Sequence, residues 1–221
     1  MEFIRTVFEL YVDRFDFFRE LFFQHLVLTA IAVAIITIVG ISAGVFMSYN
    51  RAFANAMLTI TGFLYTVPSI AMFGFLVTLT GIGNTSAVIA LSVYGTLPLV
   101  RNTYVGIKEV DPFIIEAATG MGSTERQLLL RIKLPLALPV IMAGFRTMVI
   151  MTIALGGIAS FIGAGGLGVA IWRGITTNYR ELTIAGSLLV ALLAVIIDQI
   201  LNIAEKTIKK HVYGKVEKEL L

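Results

Sequence analysis

Long apolar runs broken by short polar stretches set the pattern of this chain. A helix needs about 20 mostly apolar residues to cross the hydrocarbon core of a bilayer. Five segments meet that measure: Leu26 to Tyr49, Met57 to Thr80, Ser86 to Ile107, Leu136 to Phe161 and Leu182 to Ala204. The second is interrupted near its middle by Tyr65, Thr66, Pro68 and Ser69. A proline there frees a backbone carbonyl and kinks the helix, which at depth is tolerated against protein or a water-filled cavity. Kinked packing and a cavity-lining role therefore both stand for this stretch. The third segment is the least uniform, with Pro98, Arg101 and Asn102 near its end. In the first, Gly40 and Gly44 stand at the spacing that lets two helices approach closely. Ahead of it the pattern changes: Glu2, Arg5, Glu9, Asp13, Asp16 and Glu20 recur at steps of three and four, as do Ile4, Phe8, Tyr11, Phe15, Phe18 and Phe22. That predicts an amphipathic helix over residues 1–24, lying flat on the interface or packed against a partner subunit.

Composition agrees. Of 221 residues, 57% are hydrophobic and 14% charged, whereas a soluble domain carries about 25% charged residues to wet its surface. The net charge of +3 would suggest nucleic acid in a soluble protein; here it points to cationic cytoplasmic loops, and no nucleic-acid partner is expected. Arg51, Arg101, Lys108, Arg126, Arg131, Lys133 and the lysines from Lys206 onward fall on one side of the five segments, against Arg5, Arg14, Arg19, Arg173 and Arg180 on the other. The positive-inside rule puts the first side in the cytoplasm and the N-terminus outside, in a multi-pass protein of the cell membrane. The first residues carry mixed charge and do not read as a cleavable signal. The expected fold class is an all-α membrane protein: an interfacial helix over 1–24, five transmembrane helices within 25–205, and a basic cytoplasmic tail over 206–221.

Charges inside a bilayer are costly, so Arg146 and Asp198 are conspicuous. At similar depths they can form an intramembrane ion pair, or Arg146 can line a translocation path together with Tyr65, Ser69 and Thr152. His25, alone at the outer edge of the first segment, reads as structural. No phosphate-binding G-x-x-x-x-G-K-[ST] run occurs, and neither does H-E-x-x-H nor G-x-S-x-G. With no cysteine and two histidines, neither a metal site nor an enzyme is expected, and this chain should hold no cofactor.

The polar loop over 109–135 is the richest stretch. Asp111 before Pro112 is a helix start, an N-cap carboxylate followed by proline in the first turn. Gly120 or Gly122 ends that short helix, a second begins near Thr124, and Pro135 should break it before the fourth span. Ala117, Ala118 and Gly120 leave a shallow surface that another protein can approach.

Glu116-Ala117-Ala118, Gly120, and Ile132 with Leu134-Pro135 resemble the EAA loop of ATP-binding cassette (ABC) importer permeases with the MetI-like transmembrane domain. In that family the loop forms a coupling helix that inserts into the ATP-binding subunit. The stretches Thr66–Ser69, Pro98–Gly106, Val140–Thr147 and Ile162–Gly168 are similar to permeases for glycine betaine, carnitine and choline, and the last also to methionine-importer permeases. The resemblance implies that Glu116, Ala117, Ala118, Gly120 and Gly122 contact the ATPase. It also implies that ATP and Mg bind that partner subunit, that a second permease copy or close relative completes the path, and that an extracytoplasmic binding protein delivers solute. A methionine or other amino-acid importer is the alternative solute reading. A stand-alone channel or secondary transporter, working without an ATPase, is the alternative of a different class.

Overall fold

The computed structural model describes residues 2–219, with side-chain surroundings for residues 3–212. Among these residues every regular element is helical. Helix α1, Glu2–Asp13, is followed after Arg14 by α2, Phe15–Tyr49, a single helix of 35 residues. The amphipathic start therefore divides at Arg14, and residues 15–24 belong to the first long helix rather than to a separate element ending at 24. Helix α1 packs on its own chain: Val7 and Leu10 are buried, and the Tyr11 hydroxyl donates to the Ala185 carbonyl at 2.8 Å. Burial raises the Tyr11 pKa above its ordinary value, which keeps that donor protonated.

The second apolar segment is not one rod. Helices α3, Arg51–Thr66, and α4, Ser69–Thr80, meet at Val67–Pro68 with a bend of 100°. Proline there cannot donate to the preceding turn, and the Tyr94 hydroxyl from α5 donates to the Val67 carbonyl that the break leaves open.

Helix α5, Asn84–Lys108, is the centre of the molecule. Ala87, Ala90, Leu91, Leu99 and Val100 have no exposed surface. Protein encloses most of this helix, so it needs no uniformly apolar sequence and carries Pro98 and Asn102, the latter donating to the Pro98 carbonyl at 2.8 Å, while Arg101 stays exposed. Its neighbours come very close. A Cβ on Gly44 of α2 would lie 2.5 Å from Thr103 Cβ, and one on Gly144 would lie 2.5 Å from Asn102 Cβ.

After the short helix α6, Pro112–Gly120, and a turn of helix α7, Glu125–Gln127, the chain continues through a π-helical turn, Leu128–Lys133, into α8, Leu134–Ala159. Pro135 does not break this element. The Leu134 amide reaches back to Leu129, five residues away, and the widened turn gives the proline ring room. A 3₁₀ turn, Ser160–Ile162, and a glycine-bearing loop lead to α9, Gly168–Thr176, and then α10, Arg180–Glu219. Three chain segments are tied together at that end: Gly83 N–H donates to Ile162 O, Gly165 N–H to Asn84 Oδ1, and Gly166 N–H to Gln24 Oε1. His25 is buried just beneath and donates through Nε2 to the Ile153 carbonyl at 3.1 Å.

By length and composition Phe15–Tyr49, Glu125–Ile162 and Arg180–Val212 are each able to cross a membrane, and the bent pair α3–α4 makes a fourth if it counts as one span.

Candidate functional site

Helix α6 is closed at both ends by its own sequence. Asp111 accepts from Phe113 N–H at 2.9 Å and Pro112 occupies the first turn. At the other end Gly122 takes φ +85°, donates to Thr119 O at 2.9 Å, and lets Ser123 donate to Ala118 O at 3.1 Å. That paired closure needs a left-handed residue, and glycine adopts it without steric cost. Thr124 and Gln127 then cap the next turn reciprocally.

Of the residues singled out in this loop, Ala118 is 3% exposed and turns toward the chain itself. Glu116, Ala117 and Gly120 are exposed. A Cβ built on Gly120 meets nothing within 4 Å, and the same holds at Gly122. Phe113 is 79% exposed and Met121 82%, an apolar tip at the end of the molecule that bears Arg126, Arg131 and Lys133. Among the described residues the Glu116 carboxylate has no ion-pair partner. The loop thus presents a carboxylate, two small residues and two large apolar side chains outward.

The second arrangement lies between α8 and α10. Arg146 donates through Nε and Nη2 to both oxygens of Asp198, at 2.7 and 2.8 Å, and through Nη1 to Asn202 Oδ1 and Glu205 Oε2, each at 3.2 Å. A two-pronged guanidinium–carboxylate pair fixes geometry as well as charge. Sequence reasoning missed Asn202 and Glu205. The signal was the step of four and then three from Asp198, which sets all three on one face of α10.

The remaining path candidates scatter. Tyr65 is partly exposed, its hydroxyl donates to Met151 Sδ at 3.3 Å, and its ring lies 6.1 Å from that of Tyr94. Ser69 opens α4 just after the break. Thr152 is fully buried, bonds to Met148 O at 2.8 Å and faces Gly95 of α5; packing against α5 fills its surroundings, so it lines no open surface of this chain. Among the described residues no group of side chains could hold a metal ion.

Compared with known proteins, residues 36–210 match the family described as "Binding-protein-dependent transport system inner membrane component". The chain belongs to this family. It is 40% identical over 174 residues to the ergothioneine transport permease/ergothioneine binding protein EgtU of Helicobacter pylori, an alignment covering 79% of this chain and 32% of that longer protein. It is 38% identical over 185 residues to the glycine betaine/carnitine/choline transport system permease protein OpuCB of Bacillus subtilis, covering 84% of this chain and 85% of the relative. Among solved structures the MetNI methionine ABC transporter, in inward-facing form, superposes with a TM-score of 0.75 over 84% of this chain and 93% of its own, at 20% identity; that likeness speaks for the fold. The chain is a permease subunit of an ABC importer, a multi-pass membrane protein.

Proposed function

We propose that α6 is the helix through which this permease is driven by its ATPase, and that the imported solute carries a quaternary trimethylammonium group. The observation that carries the first part is the smallness of Gly120 and the exposed Ala117, which nothing within the chain demands. A surface kept shallow where the chain has no use for it suits a groove on another protein, and the outward Phe113 and Met121 suit its apolar walls. Glu116, Ala117, Ala118, Gly120 and Gly122 form the coupling element, and ATP with Mg is bound and hydrolysed by the partner subunits. This chain supplies geometry.

Five spans follow when α3 and α4 count as one broken crossing and the protein-enclosed α5 counts as another. The α6 loop and the lysines of α10 then lie in the cytoplasm and the N-terminus outside, in line with the asymmetry of Lys and Arg. A second copy or a close relative completes the path, a binding protein delivers solute from outside, and nucleotide-driven closure of the ATPases rocks the spans between two openings. The solute class is suggested by the relatives, since ergothioneine, glycine betaine, carnitine and choline share the trimethylammonium group.

The test is Glu116→Lys in the complete importer reconstituted in proteoliposomes. Uptake of choline or glycine betaine should fall and the ATPase should dissociate more readily, while the isolated permease melts as before. Unchanged uptake and unchanged association would sink the coupling role. Uptake of methionine in place of the trimethylammonium solutes would overturn the solute class and leave the coupling role standing.

A further inference from the structure

Between α8 and α10 runs an open groove of about 590 Å³. Ala143, Thr147, Ile150, Met151 and Ala154 line its α8 side at helical spacing, and Arg146, Asp198 and Glu205 edge it. One end is charged, with one guanidinium facing two carboxylates, which leaves a surplus of one negative charge. Lys209, one helical turn beyond Glu205, makes no ion pair with it among the described residues. Near the other end Met151 carries the Tyr65 hydroxyl, and the half-exposed Tyr65 ring stands beside it. Met151 lies five residues from Arg146, about 7.5 Å along the helix.

The chemistry of these walls selects among cations. A small metal ion needs several free oxygens around it, and here Asp198 gives both of its oxygens to Arg146 and Glu205 gives one. A primary ammonium needs acceptors for three N–H groups. A quaternary ammonium has no N–H at all. Methyl and thioether contact with a diffuse negative potential suffices for it; the groove provides both, and the Tyr65 ring adjoins it through the hydrogen bond to Met151.

We propose that the groove is a binding site within the permease for the trimethylammonium head of the solute in transit, held by the surplus charge of the Arg146–Asp198–Glu205 cluster against the Met151–Tyr65 wall. Arg146 acts in it as a positioning residue: with four N–H bonds to its partners it holds the two carboxylates at the edge of the groove and leaves one negative charge in excess. The site is one of passage, since a net charge of one and an open mouth favour entry and release alike. The inference rests on the trimethylammonium reading of the solute.

Because the chain contains no cysteine, Thr147→Cys places its sole thiol in the groove, and the rate at which a thiol reagent modifies it in the reconstituted importer reports occupancy. Tetramethylammonium chloride should slow modification where sodium chloride of equal ionic strength does not. Glu205→Gln, which removes the surplus charge yet keeps an acceptor for Arg146, should raise the half-protecting concentration about tenfold, the order of one charge acting across about 12 Å near a protein surface. Asn202→Asp, which adds a charge, should lower it. Equal modification rates in the two salts, or a half-protecting concentration unmoved by both substitutions, would overturn the site. Choline and methionine uptake by the same proteoliposomes tests the solute reading separately: methionine uptake without choline uptake refutes that reading, whereas protection of the thiol decides the groove.

Discussion

The interface of α5 with α2 and α8 and the tip of α6 are both built from small residues, for opposite reasons. At Gly44 and Gly144 an added Cβ would meet the Cβ of Thr103 or Asn102 at 2.5 Å. At Gly120 it would meet nothing within 4 Å, and Ala117 is exposed. In the first region smallness is demanded from inside, because three helices pack at a separation that excludes side chains. In the second nothing within the chain demands it, and on the proposed docking the demand is a partner's. On that proposal the same residue type serves a fold-determining contact in one place and a partner-determining one in the other, and substitutions that enlarge it should separate them.

The largest effect belongs to the inner region. Gly144→Val puts branched carbon against Asn102 Cβ, which is held by helix backbone and cannot swing aside. Overpacking of this kind costs about 3 kcal/mol or more, read as a lower melting temperature and a poor yield of the detergent-purified permease. A variant that melts like the parent would mean that α5 and α8 do not approach as described. Glu116→Lys stands next, with the reverse signature. Reversing a charge at a protein contact costs several kcal/mol of association, so uptake should drop by about tenfold or more with an unchanged melting temperature. A fall in melting temperature would move Glu116 from the partner-facing class to the fold-determining one.

What could be read in advance follows the same division. The ends of α6 were legible because their signals are local: Asp111 before Pro112, and a glycine at the close, Gly120 or Gly122, act within a few residues of themselves, and the left-handed turn falls at Gly122. The apolar runs were legible because lipid imposes one composition over a whole span. Three features were legible only in part or not at all. The kink at Pro68 is expected from the sequence, but not its size of 100°, which stands with Tyr94, from another helix, satisfying the opened carbonyl. Pro135 is carried inside a continuous helix because a widened turn precedes it, and periodicity cannot tell a wide turn from a break. The pairing of Arg146 with Asp198 is already an expectation of the sequence, whereas the full tetrad on Arg146, with Asn202 and Glu205, needed a fold to bring α8 beside α10. Its partners lie 52 to 59 residues away, although the common face of Asp198, Asn202 and Glu205 was already visible in the spacing.

Gly122→Ala sharpens the comparison further, since Gly122 is constrained by backbone geometry rather than by neighbours. At φ +85° an L side chain costs about 1–2 kcal/mol. The loss should stay within the loop, as faster amide exchange over residues 112–124, with global melting unchanged. The ATPase should bind more weakly because α6 is then less often fully formed. Exchange rates identical to the parent's would mean that the left-handed turn does not close this helix.

Gly120→Ala is the smallest change and the most discriminating. Gly120 is the last residue of α6 and has helical rather than left-handed backbone, so alanine fits there and loses less entropy on folding. The helix should gain about 0.5–1 kcal/mol, seen as slower amide exchange in the isolated permease. On the docking face the same methyl occupies space that the chain leaves empty. If a partner groove is shaped to that emptiness, ATPase association should weaken about fivefold, roughly 1 kcal/mol, even as α6 becomes more stable. A residue kept small for the sake of the fold cannot produce that opposition, because enlarging it lowers stability and binding together. Slower exchange with unchanged association would show that no partner surface reaches Gly120, and the docking face would then have to be redrawn around Glu116 and Phe113.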